Sequence, residues 1–271
     1  MSNFSNIGFN FQTIEELYEN LDKMIPLGKA NKCTKGTYLE YAENSGVAIY
    51  LQFNKRKEFI GFNPHFNGYS KRNVCITNEI ENGRSILDGC LHAWAEPTEK
   101  GNPNSGQYPF VFAVPDLQRY EPLTFPMDCQ IQLSAFTQGE ISIFDNEQEF
   151  RDSQTTQFKF ATKSFVPLGL FVMQTATGEE PSSGLPQPFG LLSGVVKEWA
   201  NLPNMFTGDS FCWMLVETAG GEIDIVCDPA LVSKPPKVGS IVQGDFWLTA
   251  RLLNVQPSPK KRGLLAQLFN F

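Results

Sequence analysis

Histidine is nearly missing from this chain, with two among 271 residues, His65 and His92. Imidazole chemistry is thereby confined to two positions. The six cysteines, Cys33, Cys75, Cys90, Cys129, Cys212 and Cys227, include no C-x-x-C pair. That argues against a zinc ribbon, a redox dithiol or a cystine framework and predicts buried free thiols. Nowhere do about 18 apolar residues stand together, so no membrane-spanning helix is predicted. The opening MSNFSNIGFNFQ lacks the basic-then-apolar order of a secretory signal, and a cytoplasmic protein is expected. G-x-S-x-G, H-E-x-x-H, a Walker loop and a G-x-G-x-x-G after a strand are all missing. Their absence sets aside the common hydrolases, nucleotide-dependent enzymes and dehydrogenases. Whether the chain is an enzyme stays open, and no cofactor, metal site or catalytic residue is assigned.

Basic charge is also scarce. The net charge is −7, from 22 Lys and Arg against 29 Asp and Glu. Residues 185–257 hold 4 basic and 7 acidic side chains, a balance of 4 − 7 = −3, whereas proteins that follow single strands use a basic groove. What is abundant is phenylalanine, 23 against 7 tyrosines, as filled sheet interiors require.

The most informative stretch is FCWMLVETAGGEIDIVCD, residues 211–228. Two β-type runs flank Gly220-Gly221, which suits a type I′ hairpin with positive φ at both central positions. That turn predicts Ala219 opposite Glu222, Glu217 opposite Asp224 and Met214 opposite Cys227. Cys212 and Cys227 are then out of direct register. Alternation along each strand sorts the hairpin into two faces. Cys212, Met214, Val216, Ile223, Ile225 and Cys227 form an apolar core side. Phe211, Trp213, Leu215 and Val226 share the other with Glu217, Glu222, Asp224 and Asp228. The strand expected over 240–252 divides likewise, with Asp245 and Trp247 on its polar side. Phe211, Trp213, Leu215, Glu217, Asp224, Asp245 and Trp247 are therefore the candidate binding face. Its aromatic groups suit an interface, covered by the N-terminal part of the chain or by a protein partner. The carboxylates of Glu217, Asp224 and Asp245 could hold a divalent cation, but hydration or a basic neighbour such as Lys197 or Arg251 accounts for them more simply.

Strand, loop, hairpin, short helical connection and strand follow one another from 189 to 252. This order resembles an OB-fold without an evident fifth strand. Upstream, Thr13 with Glu16 forms a capping box, and Leu17, Tyr18, Leu21 and Met24 recur at helical spacing until Pro26. From Thr37 the period becomes two, with successive strands through about Phe144. The expected class is α+β, predominantly antiparallel β. A helix-covered β domain (1–176) is joined by a Pro- and Gly-rich linker (177–188, TGEEPSSGLPQP) to an OB-like barrel module (189–257), and a basic then apolar tail (258–271) follows.

The opening third, with FSNIGF at 4–9 and FIGFNPHF at 59–66, resembles a family of uncharacterised bacterial proteins, which implies an intracellular bacterial origin. Gln267 to Phe271, QLFNF, resembles the short bacterial sliding-clamp-binding peptide and departs from it at the third and fourth positions. The reading that follows is a non-catalytic binding or assembly protein. Single-stranded nucleic-acid binding through Trp199, Trp213 and Trp247, or an enzyme using the acidic face, are the alternatives.

Overall fold

The computed structural model describes residues 3–11, 13–80, 85–155, 159–170 and 185–258. Of the expected linker only 185–188 are described, and the tail from 259 onward, with its QLFNF peptide, lies outside the described residues.

Among the described residues strand makes up 47% and helix 15%, so sheets rather than helices form the layers. The first layer is an antiparallel sheet of β1 (Lys29–Lys32), β2 (Gly36–Ala42), β3 (Val47–Asn54) and β4 (Phe59–Phe66), in that order. The second is a larger mixed sheet. Its strands are β5 (Arg72–Ile80), β6 (Cys90–Ala95), β7 (Pro109–Ala113), β8 (Met127–Thr137), β9 (Ser142–Phe144), β10 (Ser164–Val166), β11 (Phe189–Pro203), β12 (Ser210–Thr218), β13 (Gly221–Cys227) and β14 (Ile241–Leu252).

The pairings of the larger sheet close on themselves. β11 pairs with β12, β12 with β13, β13 in parallel with β8, β8 with β14, and β14 with β11 again. A second circuit runs β8, β5, β6, β7, β14 and back to β8. Both share the β8–β14 pair, and one apolar interior fills them, from Val74, Leu91 and Phe112 to Met214, Ile225 and Phe246. Because closure leaves no unpaired edge within a circuit, it removes the hazard of open strands. The ladder therefore runs across the expected boundary at 177–188.

The capping residue starts α1 (Ile14–Met24) as the sequence suggests, since Thr13 Oγ1 accepts from the Glu16 amide at 3.1 Å. The expectation of a helix-covered sheet is corrected. Among the described side chains of α1 only Leu21 and Met24 are buried, in one cluster with Ile49 and Leu51. β3 is buried at both parities, Val47, Ile49 and Leu51 as well as Ala48, Tyr50 and Gln52. An 11-residue helix spans only about 16 Å and cannot cover both faces. The large sheet covers the other: His65 of β4 bonds to Thr249 of β14 and Gln132 of β8. A second short helix, α2 (Glu147–Ser153), forms in the polar run that follows Phe144.

Candidate functional site at the seam between the two sheets

Gly220 and Gly221 do have positive φ, 74° and 109°, but the hairpin closes one residue earlier than expected. Thr218 faces Gly221, Glu217 faces Glu222, Leu215 faces Asp224 and Cys212 faces Cys227. Ala219 is not among the residues of positive φ, so the loop is Ala219-Gly220 and the glycine conformation falls on its second position. Three side-chain bonds fix it there. The Tyr108 hydroxyl donates to the Ala219 carbonyl at 2.6 Å, and Arg72 donates through Nη2 to Gly221 O (2.8 Å) and through Nε to Glu222 O (2.9 Å). Arg72 is wholly buried and lies 5.6 Å from the Phe165 ring centroid. At Gly220 a Cβ would collide with the Tyr108 hydroxyl.

Each residue's partner shifts by two positions, so the side chains keep their expected faces. Both faces are buried. Cys212, Met214, Val216, Ile223, Ile225 and Cys227 line the circuit interior. Phe211, Trp213, Leu215 and Val226 join Ile7, Phe9, Phe66 and Phe136 in the layer between the sheets. Cys212 and Cys227 are in direct register, contrary to expectation, and both are free thiols. The hydrogen bond between them pulls the Cys212 thiol down and pushes that of Cys227 up.

The apolar part of the candidate face is thus a wall of the larger sheet on which Ile7, Phe9 and Phe66 lie. Trp213 is 5% exposed and packs against Phe66 (6.4 Å between centroids) and Tyr69 (5.4 Å). Trp247 is half-buried, edge-on to Phe136 at 5.5 Å. The three carboxylates separate. Glu217 is at the surface, where Lys163 (2.7 Å) and Lys197 (3.7 Å) neutralise it, and the bond from Lys163 lowers its pKa. Asp245 is exposed, and Asp224 is completely buried. Among the described residues no group of three His, Cys, Asp or Glu side chains is placed to hold a metal ion.

Asp224 is the centre of what remains. Its Oδ1 accepts from Trp213 Nε1 (2.9 Å) and the Tyr69 amide (3.1 Å). Its Oδ2 accepts from the Ser70 amide (2.9 Å) and Gln132 Nε2 (2.9 Å). A buried carboxylate is tolerated when such donors replace its hydration. From Gln132 the network continues outward. Its amide nitrogen also reaches Ser134 Oγ (2.7 Å), whose hydroxyl donates to Phe66 O (2.7 Å), and its Oε1 meets His65 Nε2 at 3.0 Å. The other ring nitrogen of His65 lies 3.3 Å from Thr249 Oγ1. Burial, reinforced by the positive charge of Arg251, pulls the His65 pKa down to about 3 against the bond from Gln132, so the ring is neutral at pH 7.

Sequence reasoning singled out Trp213 and Asp224 in this seam and missed Gln132, Ser134 and Thr249. Their signal was present. Gln130, Gln132 and Ser134 alternate with Ile131, Leu133 and Ala135, a polar stripe that needs partners if both faces of its strand are covered. His92, the second imidazole, lies apart from the seam, on β6, with its Nδ1 2.6 Å from Thr77 Oγ1.

No family model, curated protein or solved structure matches this chain.

Proposed function

We propose that this chain is a non-catalytic binding or assembly protein, built on an OB-like barrel whose outer wall is taken by its own N-terminal sheet. The circuit β11, β12, β13, β8 and β14 follows the order of an OB barrel, with β8 from upstream standing where the fifth strand would be. The observation that carries the reading is the saturation of two side chains in the seam, Asp224 and His65. Asp224 takes four donors, and both nitrogens of His65 are engaged. Polar groups that elsewhere could perform acid–base or metal chemistry here tie two sheets together.

Protein is the partner class that the surface supports. Tyr18 and Phe59 are 51% and 37% exposed and meet edge-on at 6.4 Å, with exposed Ile25 seven residues beyond Tyr18. Apolar groups in contact at the surface mark places that other proteins cover. Single-stranded nucleic acid is supported by the barrel order alone. Its stacking platform would need Trp213, which is buried, and the 185–257 segment has a net charge of −3.

Thermal unfolding combined with sedimentation velocity tests the reading. Neither Mg2+, Ca2+ nor an oligothymidine should raise the melting temperature at ~150 mM salt. Tyr18→Ser with Phe59→Ser should weaken association without lowering that temperature. A Mg2+-dependent rise abolished by Asp224→Asn would replace the proposal with the enzyme reading, and nanomolar oligothymidine binding would replace it with the nucleic-acid one.

A further inference from the structure

Cys212 and Cys227 face one another directly across the ladder of β12 and β13. Residues opposed in this way have Cα atoms about 4.5 to 5.5 Å apart, inside the range of about 4.4 to 6.8 Å that a disulfide spans. Opposed residues of an antiparallel pair also point to one side of their sheet. Both sulfurs accordingly enter the circuit interior, in one cluster with Met214 and Ile225. Cys227 Sγ lies 3.8 Å from the Cys212 carbonyl oxygen, turned towards its partner's strand.

The other four cysteines meet different neighbours. Cys75 faces Trp94, Cys90 faces Ala113 and Cys129 faces Val74, while Cys33 stands between β1 and β2. Among the described residues no second pair of cysteines is opposed in a ladder.

The two thiols differ in acidity. Burial pushes the Cys75 and Cys129 thiols up, as apolar surroundings do. At Cys212 the contact with Cys227 outweighs burial and pulls the thiol down, whereas the same contact and burial together raise Cys227. One member of the pair is the readier nucleophile and the other a protonated partner.

The pair also ends its ladder on the side away from the turn. Cys227 is the last residue of β13, Asp228 is half-buried, and Pro229 and Ala230 are exposed. A small oxidant therefore reaches the sulfurs by fraying of a ladder end, without opening of the barrel.

We propose that Cys212 and Cys227 form a modification site, a dithiol that hydrogen peroxide oxidises to a cross-strand disulfide. The Cys212 thiolate attacks one peroxide oxygen and breaks the O–O bond, leaving a Cys212 sulfenic acid and hydroxide. Cys227 gives its proton to that hydroxide, and its sulfur then displaces the sulfenic oxygen as a second hydroxide, which takes up the proton first lost by Cys212. Two thiols and one peroxide thus become one disulfide and two waters, the sulfurs losing the two electrons that the peroxide gains. The site stands apart from the assembly reading, because both sulfurs face the circuit interior and not the seam.

The test uses the full-length protein, reduced and then exposed to excess hydrogen peroxide at pH 7. After quenching and unfolding, alkylation should count four thiols where the untreated protein has six, and dithiothreitol should restore the count. Cleavage after Glu217 and Glu222 places the two cysteines on separate peptides. Taken from the monomer band of a non-reducing gel, those peptides should stay joined until they are reduced. Cys33→Ser removes the most exposed thiol without touching the core, and it should still lose two thiols to peroxide. Six thiols after peroxide, a disulfide mapped to any other pair, joined peptides only in a dimer band, or a loss that disappears in Cys33→Ser would each overturn the proposal.

Discussion

The indole N–H of Trp213 donates to the carboxylate of Asp224 at 2.9 Å within one hairpin, from a residue of β12 to one of β13. Aromatic ring and buried charge are thereby parts of a single contact, and the strength of the seam is testable through either.

Trp213→Ala should destabilise the protein by ~3 to 5 kcal/mol, through lost contacts with Phe66 and Tyr69 and the cavity left behind. Trp213→Phe keeps most of the packing and removes one of Asp224's four donors, so a loss of about 1 to 3 kcal/mol is expected. Urea unfolding of the two variants measures both. An alanine variant as stable as the parent would show that the sheets do not depend on this ring.

Gly68 passes directly over the same carboxylate, where a Cβ would overlap Asp224. Four donors fix that carboxylate, so it cannot move aside, and Gly68→Ala should cost several kcal/mol, at or above the usual ~1 to 3 for overpacking. A melting temperature within a degree of the parent's would mean that the seam is looser than its hydrogen bonds imply.

Acid should weaken the fold through His65. Its folded pKa of about 3 lies below the ordinary value of 6.5. Between those limits the unfolded chain binds the extra proton, so stability rises with pH. The contribution is complete above the unfolded value and is lost progressively as pH falls from 6.5 towards 3, at up to about 1.4 kcal/mol per unit. From pH 7 to 5.5 a loss of about 1 kcal/mol is expected, and His65→Gln should lack it. Equal slopes in parent and variant would assign the acid sensitivity elsewhere.

Arg72→Lys tests the turn. Lysine keeps the charge but lacks the fork that reaches Gly221 O, Glu222 O and the Tyr108 hydroxyl together. A loss of about 2 to 4 kcal/mol is expected from the carbonyls left unsatisfied. Chemical denaturation that finds less than half a kcal/mol would exclude Arg72 as the fastener of the turn.

The faces of the 211–228 hairpin were legible because parity survives a two-residue change of partner. The register was not, since Gly220-Gly221 fits two turns locally and Arg72 and Tyr108, over 100 residues upstream, select between them. The same distance hid the circuits. No local pattern in 127–137 says that it pairs with both 221–227 and 241–252. α2 was readable: Asn146 with Glu149 is an N-cap signature, and Asn146 Oδ1 does accept the Glu149 amide at 3.0 Å. The surrounding polar run masked it. Within the candidate face, Trp213 and Asp224 were found from alternation. Gln132 and Thr249 were not, because their importance comes from His65 on a sheet that only tertiary packing brings near.

The shared pair of β8 and β14 has a consequence for how the molecule is made. Ile131 meets Leu252 across that ladder, so neither circuit can shut until the chain has been synthesised to about that point. Until then the ribosome carries β5 to β8 with one flank open and its Phe- and Leu-rich interior uncovered. Such long-range closure is slow and exposes sticky edges. Maturation should therefore be the step most sensitive to holdase chaperones, and pulse-labelled nascent chains should acquire protease resistance abruptly after residue 252 emerges rather than piecemeal.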